Sequence, residues 1–464
     1  MNIVLRADGS AQRGTGHVMR CLSLAQAWPG KAIFAMAETT PGLTQRLQTE
    51  GFEIAGDNVI ELARQHDAAW VVADGYHFDA AFQRQIKDAG LRLLLVDDYG
   101  HAEHYSADYI LNQNLYASPR FYTDREPRTQ LLLGTRYAML RRQFNEWRTW
   151  QREIPAVARK VLVTLGGADA DNVTGAVVEA LREFDIELKV VVGGSNPHFA
   201  DSSSVIRDAK NMPELMAWAD VAISAGGTTS YELAFMGLPG LVFVLADNQR
   251  AVADALDAAG LAVKTTQESV ADDLRALLGD AGRRAEMSGR GRQLVDGDGV
   301  NRVVACLRSA SLTLRRVREE DCRQIWEWAN EPAARAVSLS SEPIPWETHV
   351  QWFAARVNAP GHLFYLATNS HDALVGQIRY EVTGSEAVVS VSLAKEARGR
   401  GYGAALIVRG SEQCFTDAPV KLIRAFIKPD NATSVRAFER AGYADAGMAV
   451  ERGQTVRQFV RERS

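Results

Sequence analysis

Three short segments carry residue types and spacings that suit chemistry. The first runs from Arg6-Ala-Asp-Gly-Ser10 to Gly14-Thr-Gly-His17-Val-Met-Arg20. Gly14 and Gly16 let the backbone turn tightly and approach a ligand. His17 would stand at the start of the helix that follows, where the macrodipole disfavours imidazolium. A neutral imidazole suits a general base that activates water, and the same ring would also serve as a helix cap. The second segment, Asp220 to Glu232, is a strand that ends in Gly226-Gly227, followed by Thr228, Thr229 and Ser230 and a helix. Exposed amides and hydroxyls at such a turn fit diphosphate oxygens. Glu232, one turn into the helix, would accept both hydroxyls of a ribose or simply offset the dipole. The G-x-G-x-x-G spacing of a dinucleotide site is absent there. Asn211-Met212-Pro213 upstream would meet a base through its backbone, and the Asn248-Gln249 amides downstream would orient a sugar or form a plain turn. The third segment, Arg398-Gly399-Arg400-Gly401-Tyr402-Gly403, has R-x-x-G-x-G spacing between a strand and a helix. Its successive N–H groups would hold a coenzyme pyrophosphate. Asn431-Ala-Thr-Ser434 and Phe438 follow about thirty residues later.

The elements that must position these residues alternate strand and helix. Short apolar runs at 3–5, 32–37, 70–73, 91–96 and 109–111 predict buried parallel strands, with helical spacing at 18–27 and 80–89. Polar groups follow those strands (Asp74-Gly75, Asp97-Asp98, Asn112-Gln113-Asn114), where open α/β sheets gather ligand contacts. A charged, Trp-containing stretch at 141–159 reads as a helix and linker. The pattern restarts at 160–167, with strands at 188–192, 221–224 and 240–244. A third, mixed α+β pattern begins near Ser311. The predicted organisation is a GT-B-like pair of Rossmann-like α/β lobes, 1–145 on the sugar and catalytic side and 158–308 on the nucleotide side, followed by an α+β domain at 311–464.

Composition narrows the class. Of 464 residues, 46% are hydrophobic and 23% charged, which excludes a disordered chain. Lys plus Arg is 52 against 57 for Asp plus Glu, a net −5 that speaks against nucleic acid as a partner. The four cysteines, Cys21, Cys306, Cys322 and Cys414, lie too far apart for a disulfide framework or cysteine zinc site, so a reducing cytoplasm is expected, and with no evident Asp-x-Asp or His-rich cluster no divalent metal is expected. The start MNIVLRADGS lacks the pattern of a signal peptide, and no apolar run approaches the roughly 18 residues of a membrane span.

With these residues in view, two families are resembled. Residues 311–464 resemble the GNAT N-acetyltransferases. The resemblance implies acetyl-CoA as co-substrate, a cofactor loop of Arg398, Gly399, Arg400, Gly401 and Gly403, and Asn431 and Ser434 near the pantetheine arm. Many GNAT enzymes carry a tyrosine, acid toward the leaving thiolate, in the element where this chain has Phe438, so another group or water must serve. No base is evident. Tyr380, Glu381 and His349, at strand ends or loops, are candidates for it, and each reads first as structural, as do Trp346, Trp352 and Phe353.

Residues 1 to about 305 resemble the nucleotide-sugar hydrolases of bacterial pseudaminic acid synthesis, a GT-B group related to the glycosyltransferase that makes lipid II. The carrying residues are Arg6 to Ser10, Gly14 to Leu22, Asp74-x-Tyr76, Gly166-Gly167, Gly226 to Glu232 and Asn248-Gln249. The resemblance implies hydrolysis of UDP-2,4-diacetamido-2,4,6-trideoxy-β-L-altropyranose to the free sugar and UDP. It makes His17 the base, places Tyr76 and Asn248 on the sugar, and gives UDP to Gly227, Thr228, Thr229 and Glu232. In that pathway the preceding step is a GNAT-catalysed N-acetylation of a UDP-4-amino sugar, so one chain would perform consecutive reactions. A glycosyltransferase, a hydrolysing 2-epimerase, or a degenerate domain kept as a scaffold stay open at this point.

Overall fold

The computed structural model describes residues 1–10, 14–166, 172–193, 196, 198–199, 202–369 and 372–463, so Gly167 lies outside the described residues. The chain forms two compact units, Met1–Val300 and Asn301–Ser464. That division falls inside a helix, ahead of the 308–311 junction expected from the sequence.

The first unit opens with β1 (Asn2–Ala7), α1 (Gly16–Ala27), β2 (Ala32–Ala35), α2 (Pro41–Thr49), β3 (Glu53–Ala55), α3 (Val59–Gln65), β4 (Ala68–Asp74), α4 (Ala80–Asp88), β5 (Leu93–Val96), β6 (Tyr109–Asn112) and β7 (Gln130–Leu133). These seven strands pair in the order β3-β2-β1-β4-β5-β6-β7, all parallel. Helices on both faces explain why Ile3, Val4 and Leu5 of the central strand are fully buried. The strand order reverses between β1 and β4. The end of β1 and Asp74 at the end of β4 therefore stand together at the switch point, where such sheets bind ligands.

The second sheet is built from β8 (Lys160–Thr164), α5 (Val173–Ala180), β9 (Glu187–Val192), β10 (Val205–Arg207), α6 (Met212–Trp218), β11 (Val221–Ala225), α7 (Thr229–Phe235), β12 (Gly240–Phe243), α8 (Arg250–Ala258) and β13 (Val263–Lys264), followed by α9 (Val270–Gly279), α10 (Ala281–Leu294) and α11 (Gly299–Ser309). Its parallel order, β10-β9-β8-β11-β12-β13, reverses between β8 and β11, the strand that delivers Gly226. The connecting stretch is not the helix that its charge pattern suggested. Only a short 3₁₀ turn, Arg142–Trp147, forms. Beyond it the segment is pinned to backbone carbonyls of the second lobe, by Arg148 on Gly297 (2.6 Å) and by Arg152 on Met216, Ala219 and Met236. These charge-assisted bonds replace a helix's own ladder.

The second unit contains β14 (Thr313–Arg316), α12 (Cys322–Asn330), α13 (Pro332–Val337), α14 (Trp346–Val357), β15 (His362–Thr368), β16 (Leu374–Thr383), β17 (Glu386–Leu393), α15 (Tyr402–Asp417), β18 (Leu422–Ile427), α16 (Ala432–Arg440), β19 (Ala444–Glu451) and β20 (Gln454–Glu462). The sheet runs β14-β15-β16-β17-β18-β20-β19, antiparallel except for β17 and β18. Those two pair only from Glu386↔Leu422 to Val388↔Arg424. Past that point β17 stays on β16 and β18 stays on β20, so the parallel pair splays open toward the Arg398–Gly403 loop.

Candidate functional site

In the first unit, the second residue of α1 meets the last residue of β4. Nδ1 of His17 lies 2.7 Å from Oδ1 of Asp74, which is fully buried. Arg20, one turn further along α1, binds Asp74 through Nε (2.9 Å) and Nη2 (2.7 Å) and Asp98 through Nη1 (2.7 Å) and Nη2 (3.2 Å). Both Nη2 hydrogens thus go to carboxylates, so its 3.1 Å approach to His17 Nδ1 is a packing contact. Asp74 is then the acceptor for the Nδ1–H of His17. This fixes the tautomer and leaves Nε2 as the nitrogen with a lone pair.

Tyr76 packs its ring edge-on against His17 (centroids 4.9 Å apart) and donates its hydroxyl to Oδ2 of Asp98 at 2.8 Å. Burial and the Asp98 charge push the phenol far above its ordinary value, so it stays a donor. Burial alone would raise the Asp98 carboxyl, but Arg20, Tyr76 and Asn114 hold it far below the usual carboxylate range. Asn248, in the turn Asp247–Gln249, points Nδ2 at the Tyr76 hydroxyl (3.3 Å). A Cβ on Gly226 would come within 2.8 Å of the Gln249 carbonyl, so the Gly226–Ser230 turn lies directly against that segment. Tyr231, inside α7, donates to Oδ1 of Asn114 (2.9 Å), and Asn114 in turn donates to Asp98 (2.8 Å). The structure thus brings His17, Tyr76, Asn248 and the Gly226–Glu232 segment together through one connected polar network.

Within that segment, the Gly226 and Gly227 amides are already committed to the carbonyls of Phe243 (3.0 Å) and Ala225 (2.8 Å). The Ser230 hydroxyl turns back to Ala225 (3.3 Å). A Cβ at Gly227 would meet nothing within 4 Å, so that side of the turn is open. Glu232 is gripped by Arg141 through two parallel bonds of 2.9 Å. Arg141, Asp74, Arg20, Asp98, Asn114 and Tyr231 were not picked out as site residues from the sequence. Asp74, Asp98 and Asn114 had a visible signal, being polar residues at strand ends.

In the second unit, Gly399 (φ +70°) and Gly401 (φ +76°) both adopt the left-handed conformation that the turn into α15 requires. Gly403 brings the first turn of α15 against Leu393 and Ala437 of α16 (both 3.7 Å from an added Cβ). The Arg398 guanidinium folds back onto the Leu393 carbonyl (3.2 and 3.0 Å) and Glu331 (2.5 Å), so it braces the loop. Arg400 is exposed beside it. Arg308 lies over the Tyr402 ring at 4.3 Å. Asn431 caps α16 by accepting the Ser434 amide (3.1 Å). Phe438 is core, edge-on to Tyr443 at 5.0 Å, and the Tyr443 hydroxyl is held by Ser411 at 2.8 Å inside that core. Tyr380 is fully buried, and His349 is buried among Trp346, Trp352 and Phe353 with Nε2 on the Cys322 carbonyl (3.2 Å). Neither has the access that a base requires.

Among the described residues no helix is long and apolar enough to cross a membrane. The model of the GNAT acetyltransferase domain matches residues 311–444, and that of the glycosyltransferase family 28 C-terminal domain matches 161–297. The chain thus joins a GT-B-like pair of parallel α/β sheets to a C-terminal domain of the GNAT acetyltransferase fold. It is 23% identical to an uncharacterized protein of Methanocaldococcus jannaschii, over 82% of this chain and 83% of that one. It is 24% identical to the spore coat polysaccharide biosynthesis protein SpsG of Bacillus subtilis, over 66% and 98%. With the UDP-2,4-diacetamido-2,4,6-trideoxy-β-L-altropyranose hydrolase of Campylobacter jejuni it shares 26% identity, over 47% of this chain and 81% of the hydrolase.

Proposed function

We propose that this chain performs two consecutive steps on one nucleotide sugar. The GNAT domain transfers an acetyl group from acetyl-CoA to UDP-4-amino-4,6-dideoxy-N-acetyl-β-L-altrosamine, and the GT-B-like module hydrolyses the product, UDP-2,4-diacetamido-2,4,6-trideoxy-β-L-altropyranose, to free sugar and UDP. The observation that carries the hydrolytic half is the Asp74-oriented His17, joined through Tyr76 and Asn248 to the Gly226–Glu232 turn. Likeness to the Campylobacter jejuni hydrolase supports the choice of sugar.

In the hydrolysis, Nε2 of His17 takes a proton from water as its oxygen bonds to the anomeric carbon. The bond from that carbon to the diphosphate oxygen breaks with inversion, UDP leaves, and the proton on His17 passes to solvent. Tyr76 and Asn248 hold the sugar. With the Gly226 and Gly227 amides committed, the diphosphate meets the amides and hydroxyls of Thr228 and Thr229, whose fixed dipoles stabilise the growing charge. Glu232, steadied by Arg141, takes the ribose hydroxyls through its remaining lone pairs. No divalent metal takes part in this scheme.

In the acetyl transfer, the loop of Arg398, Gly399, Arg400, Gly401 and Gly403 holds the pyrophosphate of acetyl-CoA, with Asn431 and Ser434 near its pantetheine. The sugar amine attacks the thioester carbon, the C–S bond breaks, and the amine proton passes to solvent water. The departing thiolate is protonated by water, since Phe438 has no proton to give and Tyr443 is engaged with Ser411.

The test is an NMR time course with the UDP-4-amino sugar, run with and without acetyl-CoA. UDP release only when acetyl-CoA is present supports both steps in series. Acetylation without UDP release would leave the transferase reading alone and favour a glycosyltransferase. Deuterium entering C2 from D₂O would instead mean a 2-epimerase.

A further inference from the structure

In the acetyltransferase unit, no carboxylate among the described residues lies within ion-pair distance of the Arg379 guanidinium. Arg379 sits mid-strand on β16, between Ile378 and Tyr380, which meet Gly410 of α15. Arg379 therefore points to the other face of the sheet, where it lies 5.1 Å from the ring centroid of Trp352 on α14. Its Nε is buried without a hydrogen-bond partner, and burial pushes the guanidinium down to about 10. Arg356 on α14 packs over the same Trp352 ring at 5.3 Å, has a buried unpartnered Nε of its own, and reaches Glu381 only at 3.9 Å. Arg452, at the tip of the β19–β20 hairpin, adds a third positive charge to the field at Arg379. That tip is tied to the α13–α14 connection by Gln454, whose amide donates to the Leu339 carbonyl (2.6 Å). Glu381 is the one carboxylate in the balance at Arg379, against two further arginines.

Arg356 has Glu381 at 3.9 Å and the exposed Arg452 has Glu451 at 3.5 Å, whereas Arg379 has no ion pair among the described residues. A buried cation left so is expensive, so Arg379 is matched to a ligand's negative charge. Its place in the fold says which ligand. Arg379 pairs across to Ser390 of β17, just beyond Val388, where β17 parts from β18. The cofactor loop opens α15 on the opposite face, so the second substrate reaches the splay from the side that carries Arg379.

We propose that Arg379, with Arg356 and Arg452, forms an oxyanion site on the acceptor side of the acetyltransferase domain and takes the diphosphate of a nucleotide-linked amine. The inference rests on the reading of the acceptor as a UDP-sugar. It adds that the domain recognises the nucleotide end and rejects the free amino sugar. A guanidinium fork suits diphosphate oxygens better than a lysine would.

Calorimetric titration of the full chain with UDP tests this independently of turnover. The natural chain should bind two UDP, one in each unit, and an Arg379→Met chain one. Equal stoichiometry in the two overturns the site, whether or not the sugar is acetylated. Loss of the second UDP in a chain that does not acetylate the UDP-4-amino sugar keeps the site and overturns the choice of sugar. In acetyl-transfer assays Arg379→Met should raise KM for the UDP-linked amine by about 30-fold or more while KM for acetyl-CoA holds. A rise in the acetyl-CoA KM instead would assign the cluster to cofactor phosphates and overturn the proposal. Arg452→Ser, at an exposed hairpin tip where folding is not at stake, should shift the same KM several-fold in the same direction.

Discussion

The Asp74 carboxylate holds Nδ1 of His17 at 2.7 Å across 57 residues of sequence, from the end of one central strand to the start of the helix after the other. The pairing decides which ring nitrogen can take a proton. In Asp74→Asn the side-chain amide can donate to Nδ1, which moves the ring proton to Nε2 and blocks it. Hydrolysis should fall by about 10³- to 10⁴-fold with UDP binding retained. UDP release and calorimetry on the same preparation check this, and near-normal turnover would remove His17 from the base role.

Arg141 and Glu232 make a second prediction. Their two bonds of 2.9 Å fix a carboxylate that would otherwise be free to rotate. Arg141→Leu should raise KM for the UDP-sugar in hydrolysis by about 10- to 100-fold and leave kcat nearly unchanged. A fall in kcat with KM constant would show that the pair acts on the reacting end of the substrate.

Much of this was readable from residue order, and the reasons differ by element. Parallel strands buried on both faces announce themselves as apolar runs, and glycine loops announce the turns that follow them, so β1, β11 and the Arg398–Gly403 loop stand out. The side-chain pairs do not. Asp74 is 57 residues from His17, and Arg141 is 91 residues from Glu232. Nothing local signals a partner that only the strand order brings near. The stretch after Arg141 misled for the same reason, since its arginines serve distant carbonyls and not a helix surface. Arg379 was half visible, because the alternation Gln377, Arg379, Glu381 puts three polar side chains on one face of β16, but its lack of an ion pair among the described residues is a three-dimensional fact.

Asp98 ties the network to stability. Its carboxyl is held below its ordinary range, because Arg20, Tyr76 and Asn114 outweigh the effect of burial. The unfolded chain therefore binds this proton first as pH falls, and the stabilisation is present above roughly pH 4 and lost below it as pH drops toward the folded value. Asp98→Asn should cost about 3–5 kcal/mol at neutral pH, since it leaves Arg20 short of a buried partner. It should also flatten the acid limb of the melting profile below roughly pH 4. Parallel acid limbs in the two chains would show that Asp98 does not carry the acid sensitivity.

His349 in the second unit is also shifted downward, for a different reason. Burial among aromatic rings lowers its pKa, the Arg379 charge adds to that, and the bond to the Cys322 carbonyl offsets part of it. The folded ring resists a proton that the unfolded chain accepts near pH 6.5. Stability is therefore full above that value and lost as pH falls below it, by up to about 1.4 kcal/mol per pH unit until the folded ring itself titrates. His101 in the first unit is shifted upward, because its bond to Asp97 outweighs burial, and its contribution runs the other way. It is common to both chains in a comparison of the natural protein with His349→Gln, and so cancels. Glutamine still offers an N–H to the Cys322 carbonyl but does not titrate. The difference in melting temperature between the two chains should narrow as pH falls from 7.5 to 5, and a difference that stays constant over that range would mean that His349 titrates alike in the folded and unfolded states.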